Sequence, residues 1–137
     1  MGYPVGLYID ATKGVPTDNN IPASLFVQNT IIAGCTSPIL YSLGSNTNVP
    51  ITPNTTATIT NWFNTVAYGN SILPNNTDVG LTAAFNYTNP DFNPTAGSPA
   101  AAGASFANPK LTNGFTAVAY KGACAVGDSW WKVWTKF

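Results

Sequence analysis

The sequence predicts a mainly β fold, in which strands over residues 5–42 stack as the last rungs of a solenoid and a loop-rich C-terminal cap with one or two short helices follows. Three observations lead there. Residues 5–42 break into short apolar, β-branched runs separated by turn formers, which is how strands read. One run carries a polar Gln-Asn-Thr step between apolar pairs, suited to a corner between two strands. Beyond residue 60 that pattern stops, and Pro, Gly and aromatic residues take over. At 137 residues the chain fits one domain, 1–137. It reads as a piece of a longer protein, with rungs at 5–42, an extended loop at 43–59 and a cap region at 60–137.

Each element has its own reason. "VGLYIDA" (5–11) is short and β-prone, and "GVPTDNNIP" (14–22) is too rich in turn formers to continue a strand. In "ASLFVQNTIIAGC" (23–35), the polar step lies between Leu25-Val27 and Ile31-Ile32, so a strand, a corner at Asn29, a second strand and a turn at Gly34 are expected. "SPILYS" (37–42) repeats the idea. Segments of the form found in "LFVQNTIIAG" resemble rungs of a right-handed parallel β-helix, in which Asn occupies tight corners. Residues 44–60 hold few large apolar groups and read as extended loop. In "TNWFNTVAYGNS" (60–71), Thr60 or Asn61 is placed to cap a short helix. Trp62, Phe63, Val66 and Ala67 form its stripe, and Gly69 its end. "GLTAAFNYTN" (80–89) is read as a further helical turn.

Composition removes most chemistry. Charged residues make up 7% of the chain, against roughly 25% in an ordinary soluble protein, and the net charge is zero. There is no His, Arg or Glu, so His-based nucleophilic triads, His-ligated zinc and bidentate Arg clamps are excluded within this sequence. Two cysteines cannot complete a thiolate zinc or iron–sulfur site, so no metal and no cofactor is expected. Cys35 and Cys124 form either one disulfide, worth about 4 kcal/mol by loop closure, or two separate buried thiols. Scattered lysines without arginine disfavour nucleic acid. No run of about 20 apolar residues is present to insert into a membrane.

The second half carries ordered motifs. They are Trp62-Phe63-Asn64 with Gly69-Asn70; Pro90-Asp91-Phe92 with Pro94; Gly97-Ser98-Pro99-Ala100 with Gly103-Ala104; and Tyr120, Gly122-Ala123, Trp131 and Trp134-Thr135. In that order they resemble the C-terminal region of bacterial secreted and cell-surface right-handed parallel β-helix proteins. The resemblance covers more than half the chain and implies an extracellular or cell-surface setting without implying a reaction. It departs at Asn93, where the family often has a basic residue. As a structural cap, Asp91, Phe92, Pro94, Gly97, Ser98, Pro99 and Gly103 have physical roles. The prolines stiffen the backbone, the glycines allow tight turns, Asp91 accepts backbone amides, Phe92 anchors the loop, and Ala100 to Ala102 permit close packing.

The expected function is therefore a non-catalytic structural or interaction module, with no catalytic residues. Its partners would be the remaining rungs of a parent chain or another protein copy, met through strand edges. The alternative is a carbohydrate-binding or accessory part of a polysaccharide-processing β-helix protein, with Trp130, Trp131, Trp134 and Tyr120 stacking on the polysaccharide. "TTATIT" (55–60) also contains Thr-x-Thr units of the kind that line ice-binding solenoids, though the unit occurs once.

Overall fold

The computed structural model describes residues 4–11, 25–43 and 54–133. The chain divides into two compact units, Met1–Pro74 and Asn75–Phe137. In the first unit, strand β1 (Val5–Asp10) runs parallel to β3 (Ser37–Ser42), with Leu7 opposite Ile39 and Ile9 opposite Tyr41. Strand β2 (Ile31–Ala33) runs parallel to β4 (Ser71–Leu73), with Ile32 opposite Ile72. Alternation along β1 and β3 sends Ile9, Ile39 and Tyr41 into the core and leaves Tyr8 and Leu40 exposed.

The helix α1 (Thr56–Phe63) closes this core. It begins where Thr55 and Thr58 cap each other: the Thr55 hydroxyl accepts from the Thr58 amide at 3.1 Å, and the Thr58 hydroxyl accepts from the Thr55 amide at 2.7 Å. Ile59, Trp62 and Phe63 fall three and four residues apart, so they share one face and are all buried. The Thr56 hydroxyl accepts from the Tyr41 amide at 3.2 Å and pins the helix start to β3. Phe63 and Ile59 have no measurable exposure, and Leu7, Val27, Tyr68 and Ile72 pack around the cluster. Burying each such side chain contributes roughly 1.5–3 kcal/mol. Gly6 is required by close approach: a Cβ there would overlap the Ile32 side chain and stand 2.8 Å from the Pro38 carbonyl oxygen.

The corner before β2 is held by a single side chain. Asn29 has φ +53°, the left-handed region that asparagine tolerates best among residues with a side chain. Its amide donates to the Tyr68 carbonyl at 2.8 Å. Asn70 then fills the corner: its Oδ1 accepts from the Thr30 amide at 2.9 Å, and its Nδ2 donates to the carbonyls of Val27 and Phe63 at 2.8 and 2.9 Å. Gly69, at φ +64°, supplies the left-handed step that brings Asn70 there.

In the second unit, β5 (Leu81–Ala83) and β6 (Asp91–Pro94) form an irregular antiparallel pair, with Leu81 opposite Pro94 and Ala83 opposite Asp91. Its buried residues include small or polar side chains, Ser98, Ala100 and Asn93, beside Cys124 and Trp131. Backbone bonds compensate. The Lys121 amide donates to Ala100 at 2.8 Å and the Ala104 amide to Ala119 at 2.9 Å, which ties the "SPAAAGA" stretch to the segment before "KGA".

This architecture corrects the expected solenoid. Among the described residues there are three separate two-stranded sheets, two parallel in the first unit and one antiparallel in the second, one α-helix in the first unit, and no stacked rungs. The strands at 5–10, 31–33 and 37–42 lie where their short apolar runs put them, whereas the strand expected over Leu25–Val27 is irregular, and each parallel pair ends at two strands among the described residues. The helix starts at Thr56 rather than after Thr60, inside the stretch read as loop, and ends at Phe63. Val66 and Ala67, expected on its stripe, are therefore exposed in a following 3-10 turn. Residues 80–89 carry a strand in place of a helical turn. "TTATIT" is helical from Thr56 and presents no flat threonine ladder. The turn expected at 14–22 lies outside the described residues.

Candidate functional site

The densest side-chain network of the second unit forms around β6. Its opening turn is set by Asp91, whose Oδ1 accepts from the Asn93 amide at 3.0 Å, as the sequence suggested for an acid in this position. Asn93 is buried and nearly saturated. Its Oδ1 accepts from the Trp131 indole N–H at 3.1 Å, its Nδ2 donates to the Asp128 carbonyl, and its own carbonyl accepts from the Thr82 hydroxyl at 3.0 Å. The strand is thereby sewn to the turn that precedes Trp131. In that turn the Asp128 carboxylate accepts from the Ala125 amide at 2.6 Å, and Gly127 takes φ +80°.

Aromatic groups gather on this frame. Trp131 is buried and meets Phe92 edge to face at 5.3 Å between centroids. The Lys132 ammonium lies 5.3 Å from the Trp131 ring centroid and 3.6 Å from the Asp91 carboxylate. Lys132 is exposed and Asp91 partly so, and the ion pair orients more than it stabilises. Trp130 is 53% exposed, with its indole N–H donated to the Ala123 carbonyl at 3.1 Å, so its ring is presented to solvent in a fixed pose.

The sequence-selected residues thus separate. Trp130 offers an open face, Trp131 is committed to packing, Tyr120 is half-buried, and Trp134 lies outside the described residues. Phe92 is 40% exposed, so it leans on Trp131 and does not anchor the loop in a core. Pro94 is buried while Pro99 is exposed. Gly103 needs its left-handed φ of +86°, where Lys121 packs over it. Gly97 has open space around it and no positive φ. Ser98 works hardest of the group: its hydroxyl donates to the Val79 carbonyl at 2.6 Å and accepts from the Ala100 amide at 2.9 Å. Asn93 and Asn70 are the two network centres that sequence reasoning did not select, although each sits inside or beside a motif it did.

The chemistry available is limited. The carboxylates of Asp78, Asp91 and Asp128 are spent on local backbone amides, and no group of His, Cys, Asp or Glu able to hold a metal occurs among the described residues. Cys35 and Cys124 stand as free thiols, one in each unit. Burial raises the Cys124 pKa, with the negative charges of Asp128 and Asp91 adding to it and a hydrogen bond to Trp130 opposing it. Its thiol is therefore held in the protonated form at neutral pH. No helix among the described residues is long and apolar enough to cross a membrane. Neither a family model, nor a curated protein, nor a solved structure matches the chain.

Proposed function

We propose that this chain is a non-catalytic structural and interaction module whose partner is a second copy of itself, met through strand edges. The observation that carries the reading is the β1–β3 sheet. Among the described residues it has two strands, and Tyr8 and Leu40, opposite one another in register, are 48% and 36% exposed. A short sheet with an apolar outward pair is a template for strand addition. The shortage of ionisable groups and the structural use of the Asp78, Asp91 and Asp128 carboxylates support a role without catalysis. The order of the motifs in residues 60–137 supports an extracellular or bacterial cell-surface setting, as in the secreted proteins they resemble. Sedimentation velocity over a range of concentrations tests the association. Growth of a dimer or larger species that Leu40→Lys suppresses is the expected result, and a monomer at every concentration rejects it.

A second reading, contact with a neutral polysaccharide, is favoured by Trp130 alone, since its exposed ring is held by the Ala123 bond. Glycan-array binding lost on Trp130→Ala would support it. Absence of binding by the unaltered protein would remove it.

A further inference from the structure

We propose that Asn113–Gly114 is a site of spontaneous deamidation and isoaspartate formation, a built-in modification that adds one negative charge to a neutral chain. The dipeptide Asn-Gly occurs once in the sequence. It follows the 3-10 turn Pro109–Leu111, and residues 112–117 are all exposed. Gly114 has φ +82°, and nothing lies within 4 Å of where a Cβ would stand. Neither the Asn113 side chain nor the Gly114 amide has a hydrogen-bond partner among the described residues. Electrophile and nucleophile are thus adjacent, solvated and unengaged, and no side chain on the attacking residue obstructs ring closure.

The step balances with water as the sole co-reactant. The Gly114 backbone nitrogen loses its proton to solvent base and attacks the Asn113 Cγ. The N–Cγ bond forms, the Cγ–Nδ2 bond breaks, and ammonia leaves after taking up a proton, so that a five-membered succinimide remains. Water then opens the ring. Cleavage at the Cγ carbonyl leaves aspartate, and cleavage at the backbone carbonyl leaves isoaspartate, with the main chain routed through the side chain. Either product takes the formal net charge from zero to one negative.

The same molecule contains its controls. Asn70 precedes a small residue, but its amide nitrogen donates to two carbonyls and the Ser71 amide donates to Thr30 at 2.9 Å. Asn89, Asn93 and Asn108 each precede proline, which has no N–H to attack with. The test is to incubate the full chain at mildly alkaline pH and follow it by isoelectric focusing and peptide mass mapping, with an isoaspartate-specific methyl-transfer assay. The expected result is an acidic species whose change maps to Asn113 and includes isoaspartate, while Asn70 keeps its amide. Gly114→Ala should slow it about tenfold, the effect of roughly 1.4 kcal/mol on the barrier. Because alanine is strained at a positive φ, Asn113→Gln is the second variant: it keeps an amide but disfavours the five-membered ring, and the acidic species should not form. Conversion of Asn70 as fast as Asn113, aspartate without isoaspartate, or persistence of the acidic species in Asn113→Gln would each overturn the proposal.

Discussion

Asn93 and Asn70 show how an amide side chain substitutes for apolar bulk in a chain so poor in charge. Each offers donor and acceptor atoms at one end, and each uses both to satisfy groups that would otherwise be stranded. For Asn93 the consequence is measurable. Asn93→Leu keeps much of the volume but leaves the buried Trp131 indole N–H without its acceptor and the Asp128 carbonyl without its donor. The expected loss is about 2–4 kcal/mol of stability, from two unsatisfied groups at roughly 1–3 kcal/mol each with partial relaxation. Thermal unfolding followed by tryptophan fluorescence would report it, and a variant as stable as the parent would show that the network is incidental. A basic residue at position 93 would supply donors only and could not accept from Trp131.

At the scale of elements, what the sequence disclosed depended on whether the signal was local. The corner at Asn29 and the turn at Gly34 were legible because a left-handed φ selects for asparagine and glycine directly. The strands at 5–10 and 37–42 were legible from short apolar, β-prone runs. Helix α1 was misplaced because its start is a capping box made of two threonines in a stretch whose few large apolar groups read as extended loop. The short β5 was missed because three residues carry almost no periodicity, and their pairing with β6 is a tertiary event. Within α1, two neighbouring aromatics should respond differently to substitution. Phe63 is fully buried and purely apolar, so Phe63→Ala should cost about 3–5 kcal/mol. Trp62 contacts the Tyr68 ring edge-on at 6.1 Å, yet its buried indole N–H finds no partner among the described residues. Trp62→Phe loses ring volume but also removes that unsatisfied donor, so about 1 kcal/mol or less is expected. Chemical denaturation of both variants decides it, and equal losses would mean that the indole nitrogen carries no penalty.

For the whole molecule, the absence of net charge connects the fold to the proposed association. Edge strands are ordinarily kept apart by lysines and by like-charge repulsion. Here acidic and basic residues are equal in number, and Tyr8 and Leu40 occupy the outward positions of the β1–β3 sheet. How many strands a sheet contains is decided by what covers its edge, a property no local pattern encodes, which is why the strands were readable and the solenoid built from them was not. The same reasoning sets the salt response. Association driven by backbone pairing and apolar contact between neutral chains has little long-range electrostatic energy to screen at a Debye length of about 10 Å in 0.1 M salt. The apparent dissociation constant should therefore change less than about threefold, or roughly 0.7 kcal/mol, between low and moderate salt. Leu40→Lys should weaken association and also make it salt-sensitive, because it places a like charge on each copy at the shared edge. A strong salt dependence in the unaltered chain would identify charge pairing as the driving force and transfer the interface away from the Tyr8–Leu40 edge.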